Sequence, residues 1–200
     1  QAIWMSNENG RRQVLPLAEI KLPGVHNVEN YMAAIAAVDR LVPDKIIRDF
    51  AKNFGGVEHR IELVRELDGV RYYNDSIASS PSRTIAGLNA FPEKVILIAG
   101  GKDKGISYDS LGPVVNEHVK LLILCGATAG VIRASVEQAE NYGGLEIADA
   151  EDYHQAVSLA RSRAKEGDVI ILSPASTSFD RFANFMERGR VFKEIVNSLK

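Results

Sequence analysis

The chain has 200 residues, 46% hydrophobic and 25% charged, with a formal net charge of −2. That composition suits one globular domain plus something smaller, and without a Lys/Arg stripe to release counterions it argues against a nucleic-acid binder. The single cysteine, Cys125, excludes an internal disulfide framework and a thiolate metal cage, and no apolar run nears the roughly 20 residues of a membrane-spanning helix.

The chain opens at Gln1 with no initiator methionine and no signal peptide, and is expected to be a segment of a longer protein. Residues 1–56 predict a ragged leader, a helix over 27–40 and a second over 44–53, and are expected to be the tail of a preceding domain. Phe54-Gly55-Gly56 reads as the linker. From residue 57 strands and helices alternate. Ile61 to Arg65 and Val70 to Tyr73 flank Asp68-Gly69, a dipeptide that tolerates the positive φ of a type I′ turn, so a hairpin is predicted. Ser80-Pro81 offers a helix N-cap with proline at N1, and Ile85, Leu88 and Phe91 fall on one helical face.

Short, largely apolar runs follow at 95–99, 121–125, 145–148 and 169–172, as a sheet covered on both faces requires. Cys125 ends one of them and reads as buried filler. Helices are expected between these runs, around 108–118, 128–141 and 150–165, and a last one over 179–199. Asp149 and Asp152 resemble a capping box for the third. The rhythm predicts a Rossmann-like, doubly wound, mostly parallel α/β domain over 57–200, with ligands at the C-terminal ends of its strands.

Four segments carry polar groups suited to binding. Gly100-Gly101-Lys102-Asp103-Lys104-Gly105 follows a buried strand and fits an anion site, although a tight turn with solvated lysines fits equally. Ser173 to Asp180 runs from a strand toward the last helix, where hydroxyls and unpaired N–H groups can hold a carboxylate or a phosphate; a lone serine cap is the simpler account. Asn74 to Ser80 includes Asp75, able to accept from ribose hydroxyls or to form an Asx turn. Asn27 and Asn30 lie three apart at the head of a helix, an arrangement suited to an adenine edge, next to His26. His59-Arg60 adds a cation. The four histidines show no metal-ligand spacing among themselves or with Cys125, and no nucleophile elbow appears.

Taken together and in order, these segments resemble the C-terminal half of the Mur ligases. The resemblance rests on Leu22-Pro23-Gly24-Val25-His26-Asn27-Val28-Glu29-Asn30, His59-Arg60, Asn74-Asp75-Ser76, Gly100-Gly101 with Lys104, and Leu172-Ser173-Pro174-Ala175 through Ser178-Phe179-Asp180, Asn184-Phe185 and Glu187-Arg188-Gly189. It spans roughly residues 14–197, and is strongest to the members that add D-glutamate to UDP-N-acetylmuramoyl-L-alanine. It implies an ATP- and Mg²⁺-dependent ligase of bacterial peptidoglycan synthesis, cytoplasmic and monomeric, acting through an acyl phosphate, with no nucleic acid or membrane as partner. By the same resemblance, Asn27 and Asn30 lie near the adenine, and Arg60 and Asp75 contact ribose and phosphates. Ser79 and Lys104 hold the α-carboxylate of D-glutamate, while Ser178 and Phe185 hold its side-chain carboxylate, Phe185 through its backbone N–H.

The usual family motif runs Asp-Ser-Lys-(Ala/Gly)-Thr-Asn, whereas this chain has Asp75-Ser76-Ile77-Ala78-Ser79-Ser80. Ser79 keeps a hydroxyl; Ile77 cannot replace a lysine's charge, and Lys102 is one candidate to compensate. The UDP-binding domain, the ATP phosphate loop and the metal ligands of the family are not in this sequence. The resemblance therefore implies no ligase activity for the chain alone and no confident catalytic residue within it. Other Mur or folylpolyglutamate-type ligases, and a non-catalytic Rossmann-like binding module, are the competing readings.

Overall fold

The structure is a computed structural model that describes residues 1–8, 10–22 and 24–200, with the side chains of Asn7 and His26 left aside. Pro23, part of the first family-like segment, lies outside the described residues. The chain divides into two compact units, Gln1–Gly56 and Val57–Lys200.

The first unit is more than two helices. Its leader forms an antiparallel hairpin of β1 (Ala2–Asn7) and β2 (Gly10–Pro16), followed by a 3-10 turn over Leu17–Glu19. The expectation of a ragged leader is therefore corrected. Asn7 pairs with Gly10, which takes a φ of 113° as the first residue of β2 after the turn. Helices α1 (Val25–Ala37) and α2 (Asp44–Asn53) complete the unit. Ile3, Val14 and Leu15 from the hairpin meet Tyr31, Ile35, Ile47 and Ala51 in one small core. Arg48 on α2 donates to the carbonyls of Val14 (2.7 Å) and Gln13 (2.9 Å), tying the helix to β2.

The second unit has the predicted architecture. Its hairpin pairs β3 (Glu62–Leu67) with β4 (Val70–Asn74), and Asp68 and Gly69 take φ of 51° and 72°, as a type I′ turn demands. Then come α3 (Pro81–Leu88), β5 (Val95–Ala99), α4 (Leu111–His118), β6 (Val119–Leu124), α5 (Ala129–Glu137), β7 (Glu146–Asp149), α6 (Tyr153–Arg163), β8 (Val169–Leu172) and α7 (Phe185–Ser198). The sheet order is β3-β4-β8-β5-β6-β7, parallel except for the β3-β4 hairpin.

Because successive strand residues point to opposite faces, the apolar runs serve two cores. Val95, Leu97, Val169 and Ile171 face α3, α4 and α5 through Leu88, Leu111, Val115 and Ile132. Ile96, Ile98, Ile170 and Leu172 face α6 and α7 through Tyr153, Val157 and Phe192. Each such side chain, fully buried, contributes about 1.5–3 kcal/mol. The strands β5, β6 and β7 step outward along the sheet. The chain then returns through α6 on the opposite face and inserts β8 between β4 and β5. The path reverses there, so the loops leaving β8 and β5 lead to helices on opposite faces, which opens a crevice beyond their carboxyl ends.

Two helix starts differ from expectation. The box at α6 is Asp152 with Gln155: Asp152 Oδ1 accepts from the Gln155 N–H (2.8 Å), and Gln155 Oε1 accepts from the Glu151 N–H (2.5 Å). Asp149 instead takes the guanidinium of Arg133. The last helix begins at Phe185, well after residue 179. Ser178 heads a separate turn, its carbonyl accepting from Arg181 N (3.1 Å) and Phe182 N (2.9 Å). The true cap is Asn184, which accepts from Glu187 N (2.9 Å), while Glu187 reaches back to Ala183 N (2.7 Å). That reciprocal pair outcompetes a serine farther upstream.

Candidate functional site

Three of the four binding segments belong to the second unit, and all three lie at the carboxyl edge of its sheet: after β4, after β5 and after β8. They form one connected structure. After β5, Gly100 and Gly101 have φ of 117° and 152°, and a Cβ on either would come within 2.2 Å of Cys125 O or 2.1 Å of Thr177 O. Glycine is required here because backbone meets backbone. The close approach lets Lys102 and Thr177 form an isolated antiparallel bridge, with N–H···O bonds of 2.9 and 3.1 Å, so the β5 and β8 loops are joined. Beneath them Ser176 Oγ meets Tyr108 OH (2.9 Å) and Thr128 Oγ1 (2.8 Å), and Thr128 Oγ1 accepts from Gly101 N (3.0 Å).

The β4 loop is held as firmly. Asn74, rather than Asp75, forms the Asx turn: its Oδ1 accepts from Ser76 N (3.1 Å), while its Nδ2 bonds to His59 Nδ1 (2.9 Å) and Glu62 Oε2 (3.1 Å). Asp75 is 3% exposed. Its Oδ2 accepts from Ser173 Oγ (2.7 Å) and its Oδ1 from Ile61 N (3.2 Å). Burial pushes its carboxyl up to about 7, against the opposing pull of those bonds and of the Arg60 and Arg83 charges. A ligand hydroxyl meets Asp75 only by exchanging one of these bonds.

Arg188, 0% exposed on α7, clamps two loops. Its Nη2 donates to Ser76 O (2.8 Å), its Nε to Ser76 Oγ (3.0 Å) and its Nη1 to Ser176 O (3.0 Å); Ser76 Oγ in turn donates to Phe185 O (2.7 Å). The guanidinium's planar fork is what allows one side chain to serve both loops. Burial lowers its pKa, though an arginine stays charged. The sequence puts Arg188 within the resemblance but gives it no role.

The predicted amino-acid contacts fall as follows. Ser79 and Lys104, from different loops, come together, Lys104 Nζ donating to Ser79 Oγ at 3.3 Å. Ser178 is buried on the β8 loop, and Phe185 is the first residue of α7, where an N–H has no partner within the helix. Arg60 is exposed beside His59. His59 is buried, its pKa lowered by that burial, and its ring lies edge-on to Phe185 with centroids 6.0 Å apart. Among the described residues, Arg60, Arg83 and Lys104 make no ion pair, whereas Arg12, Arg71, Arg133, Arg161 and Arg163 each do. Three cations near the carboxyl edge of the sheet thus stand, among the described residues, without an ion-pair partner.

Asn27 and Asn30 sit on α1 of the first unit, near its start, as expected. One cluster with metal-ligand character is not anticipated by the sequence: donor atoms of Glu58, His59 and Glu62 lie within 4.8 Å of one another. It does not fit Mg²⁺. The Lys193 ammonium already holds Glu58 (3.0 Å) and Glu62 (2.6 Å), and a hard octahedral cation prefers oxygen to an imidazole. Cys125 is buried, and burial raises its thiol pKa, in line with a packing role.

An open, mostly parallel α/β sheet with helices on both faces and three loops gathered at its carboxyl edge defines a Rossmann-like domain. A family model described as the Mur ligase, glutamate ligase domain matches residues 59–176. The chain belongs to the Mur ligase family. It is 55% identical over 203 residues to the UDP-N-acetylmuramoylalanine–D-glutamate ligase of Ruminiclostridium cellulolyticum, covering 99% of this chain and 43% of that protein. The ligase of the same name from Acetivibrio thermocellus is 56% identical over 192 residues, covering 94% of this chain and 41% of that one. The chain thus spans less than half the length of the curated relatives it matches. Among solved structures, the UDP-N-acetylmuramate–alanine ligase of Thermotoga maritima superposes with a TM-score of 0.67 at 18% identity, over 90% of this chain and 40% of that one. The Mycobacterium tuberculosis folylpolyglutamate synthase complexed with ADP gives 0.67 at 15% identity, over 98% and 45%. At such identities these two share the fold with the chain.

Proposed function

We propose that the chain is the amino-acid-binding part of a cytoplasmic, ATP-dependent ligase that adds D-glutamate to UDP-N-acetylmuramoyl-L-alanine in peptidoglycan synthesis. The observation that carries this reading is the Ser79–Lys104 pair at 3.3 Å within a rim of unpaired cations. A dicarboxylic amino acid needs two anion subsites, and two are available: Ser79 with Lys104, and the buried Ser178 with the head of α7 at Phe185. The names of relatives more than half identical to this chain support the same substrate. Phosphoryl transfer and Mg²⁺ belong, on this reading, to parts of the protein beyond these residues, since the chain has no G-x-x-x-x-G-K-[ST] loop. Asn27 and Asn30 would serve the adenine, and Arg60 and Asp75 the ribose and phosphates. Residues 1–56 are then the end of the ATP-binding domain and 57–200 the glutamate-binding domain.

Such a site works by positioning. It presents the amine to an activated acyl group while fixed cations and N–H groups hold both carboxylates. The test is phosphate release by the full-length protein with ATP, Mg²⁺ and UDP-N-acetylmuramoyl-L-alanine, comparing D-glutamate with L-alanine, L-lysine and meso-diaminopimelate. Release dependent on D-glutamate is expected. Dependence on one of the others would move the assignment to another member of the family.

A further inference from the structure

We propose that Arg83 supplies the cation that the usual motif carries two residues after its aspartate, and that it binds a carboxylate of the incoming amino acid as a specificity-determining residue. The inference rests on the ligase reading above and names a group within that site.

The position itself is occupied by Ile77, which has no charge to offer. The structure brings a cation to the backbone of that position by another route. Arg83 Nη1 donates to Ile77 O at 3.3 Å, and that carbonyl also accepts from Ser79 N at 2.8 Å. The guanidinium is thereby anchored on the short loop whose Ser79 hydroxyl meets Lys104. Among the described residues one of its five N–H groups is engaged, and the remainder can take a carboxylate side-on. The side chain is exposed and, among the described residues, has no acidic partner. Its charge acts on Asp75, which puts it within electrostatic range of the β4 loop.

Helix stability does not account for an arginine here. Arg83 is the third residue of α3, and a cation in a helix's first turn opposes the dipole. No acidic residue in that turn offsets it. With a ligand anion beside it the same combination becomes favourable, since guanidinium and helix end attract the anion together. The base of Arg83 is also fixed: Pro81, Thr84, Gly87 and Leu88 of α3 are buried, and Thr84 Oγ1 donates to Ser173 O. Lys102, the candidate suggested by sequence, is committed through its backbone to Thr177 on the β8 loop and is not bonded to the Ile77–Ser79 turn.

The experiment uses the full-length ligase with Arg83→Gln, Arg83→Lys, Ile77→Lys and the Arg83→Gln/Ile77→Lys double substitution, in steady state against each substrate. Loss of a charge-assisted hydrogen bond predicts a KM for D-glutamate raised about tenfold or more in Arg83→Gln. The KM values for ATP and for the UDP-linked substrate should stay near wild type. Arg83→Lys should fall between, and Ile77→Lys should restore most of the loss in the double variant, which a merely structural role would not allow. An unchanged KM for D-glutamate in Arg83→Gln overturns the proposal, as does equal loss toward all three substrates or failure of Ile77→Lys to rescue. A rise seen instead in Lys102→Gln would assign the cation there. If the wild-type enzyme turns over a different amino acid, the D-glutamate reading falls, and Arg83 is judged by the KM for that amino acid.

Discussion

Asp75 shows how one buried side chain can impose a pH dependence on a whole unit. Its carboxyl ordinarily titrates near 3.8, and in the fold it titrates at about 7 because burial penalises the charged form. The folded state therefore holds its proton more tightly than the unfolded state does. The stabilisation is fully present below 3.8 and is lost as pH rises through about 7, an effect of up to roughly 4 kcal/mol by linkage. Asp75→Asn removes the titration. The chain carrying it should show a flatter dependence of urea midpoint on pH between about 5 and 8 than the parent. A parent whose midpoint rises across that interval would contradict the account. The residue scale is also where sequence is least informative. Asp75 stands out as a ligand contact, yet nothing local shows that Ser173, far along the chain, closes over it. Lys104 stands out in its glycine-rich loop and Ser79 comes from the resemblance; their meeting across two loops is visible only once the strands are ordered.

Elements are far more legible than boundaries. The apolar runs at 95–99 and 169–172 coincide with β5 and β8, since fully buried strands admit no polar residue to blur their limits. The β3–β4 turn follows from Asp68-Gly69. Helix starts are obscured where two caps compete, as at Ser178 against Asn184. The hairpin of the first unit escapes a reading by periodicity because its strands mix charge with apolar residues, as in Arg11, Arg12 and Gln13 beside Val14 and Leu15. Helix α7 provides a test in which packing and propensity have opposite signs. In an exposed helix, Gly→Ala stabilises by about 1 kcal/mol. At Gly189 a Cβ would lie 2.3 Å from His59 Nδ1 and 3.1 Å from Asn74 Nδ2, both in a fixed buried network. Overpacking of this kind costs about 1–3 kcal/mol, so Gly189→Ala should lower the unfolding midpoint. A raised midpoint would show that the His59 ring gives way freely.

For the molecule as a whole, the proposed function separates binding from chemistry. In the second unit a backbone bridge and buried hydroxyls join the loops at the carboxyl edge of the sheet, while the sequence contains no G-x-x-x-x-G-K-[ST] loop to cradle a triphosphate. The 200-residue chain should therefore release no phosphate from ATP, even with D-glutamate and the UDP-linked substrate present. Measurable release from the purified chain would place catalytic groups within it. The Lys102–Thr177 bridge has a further consequence for anyone redesigning this pocket. The glycine-lysine loop is not a cassette. Gly101 rests on Thr128, and its neighbour is stitched to Thr177, so a graft of residues 100–105 alone would arrive without the seam that shapes it. A transplant has to carry the stretch after β8 and the threonine after β6 as a set, and sequence change in any one of the three is constrained by the other two.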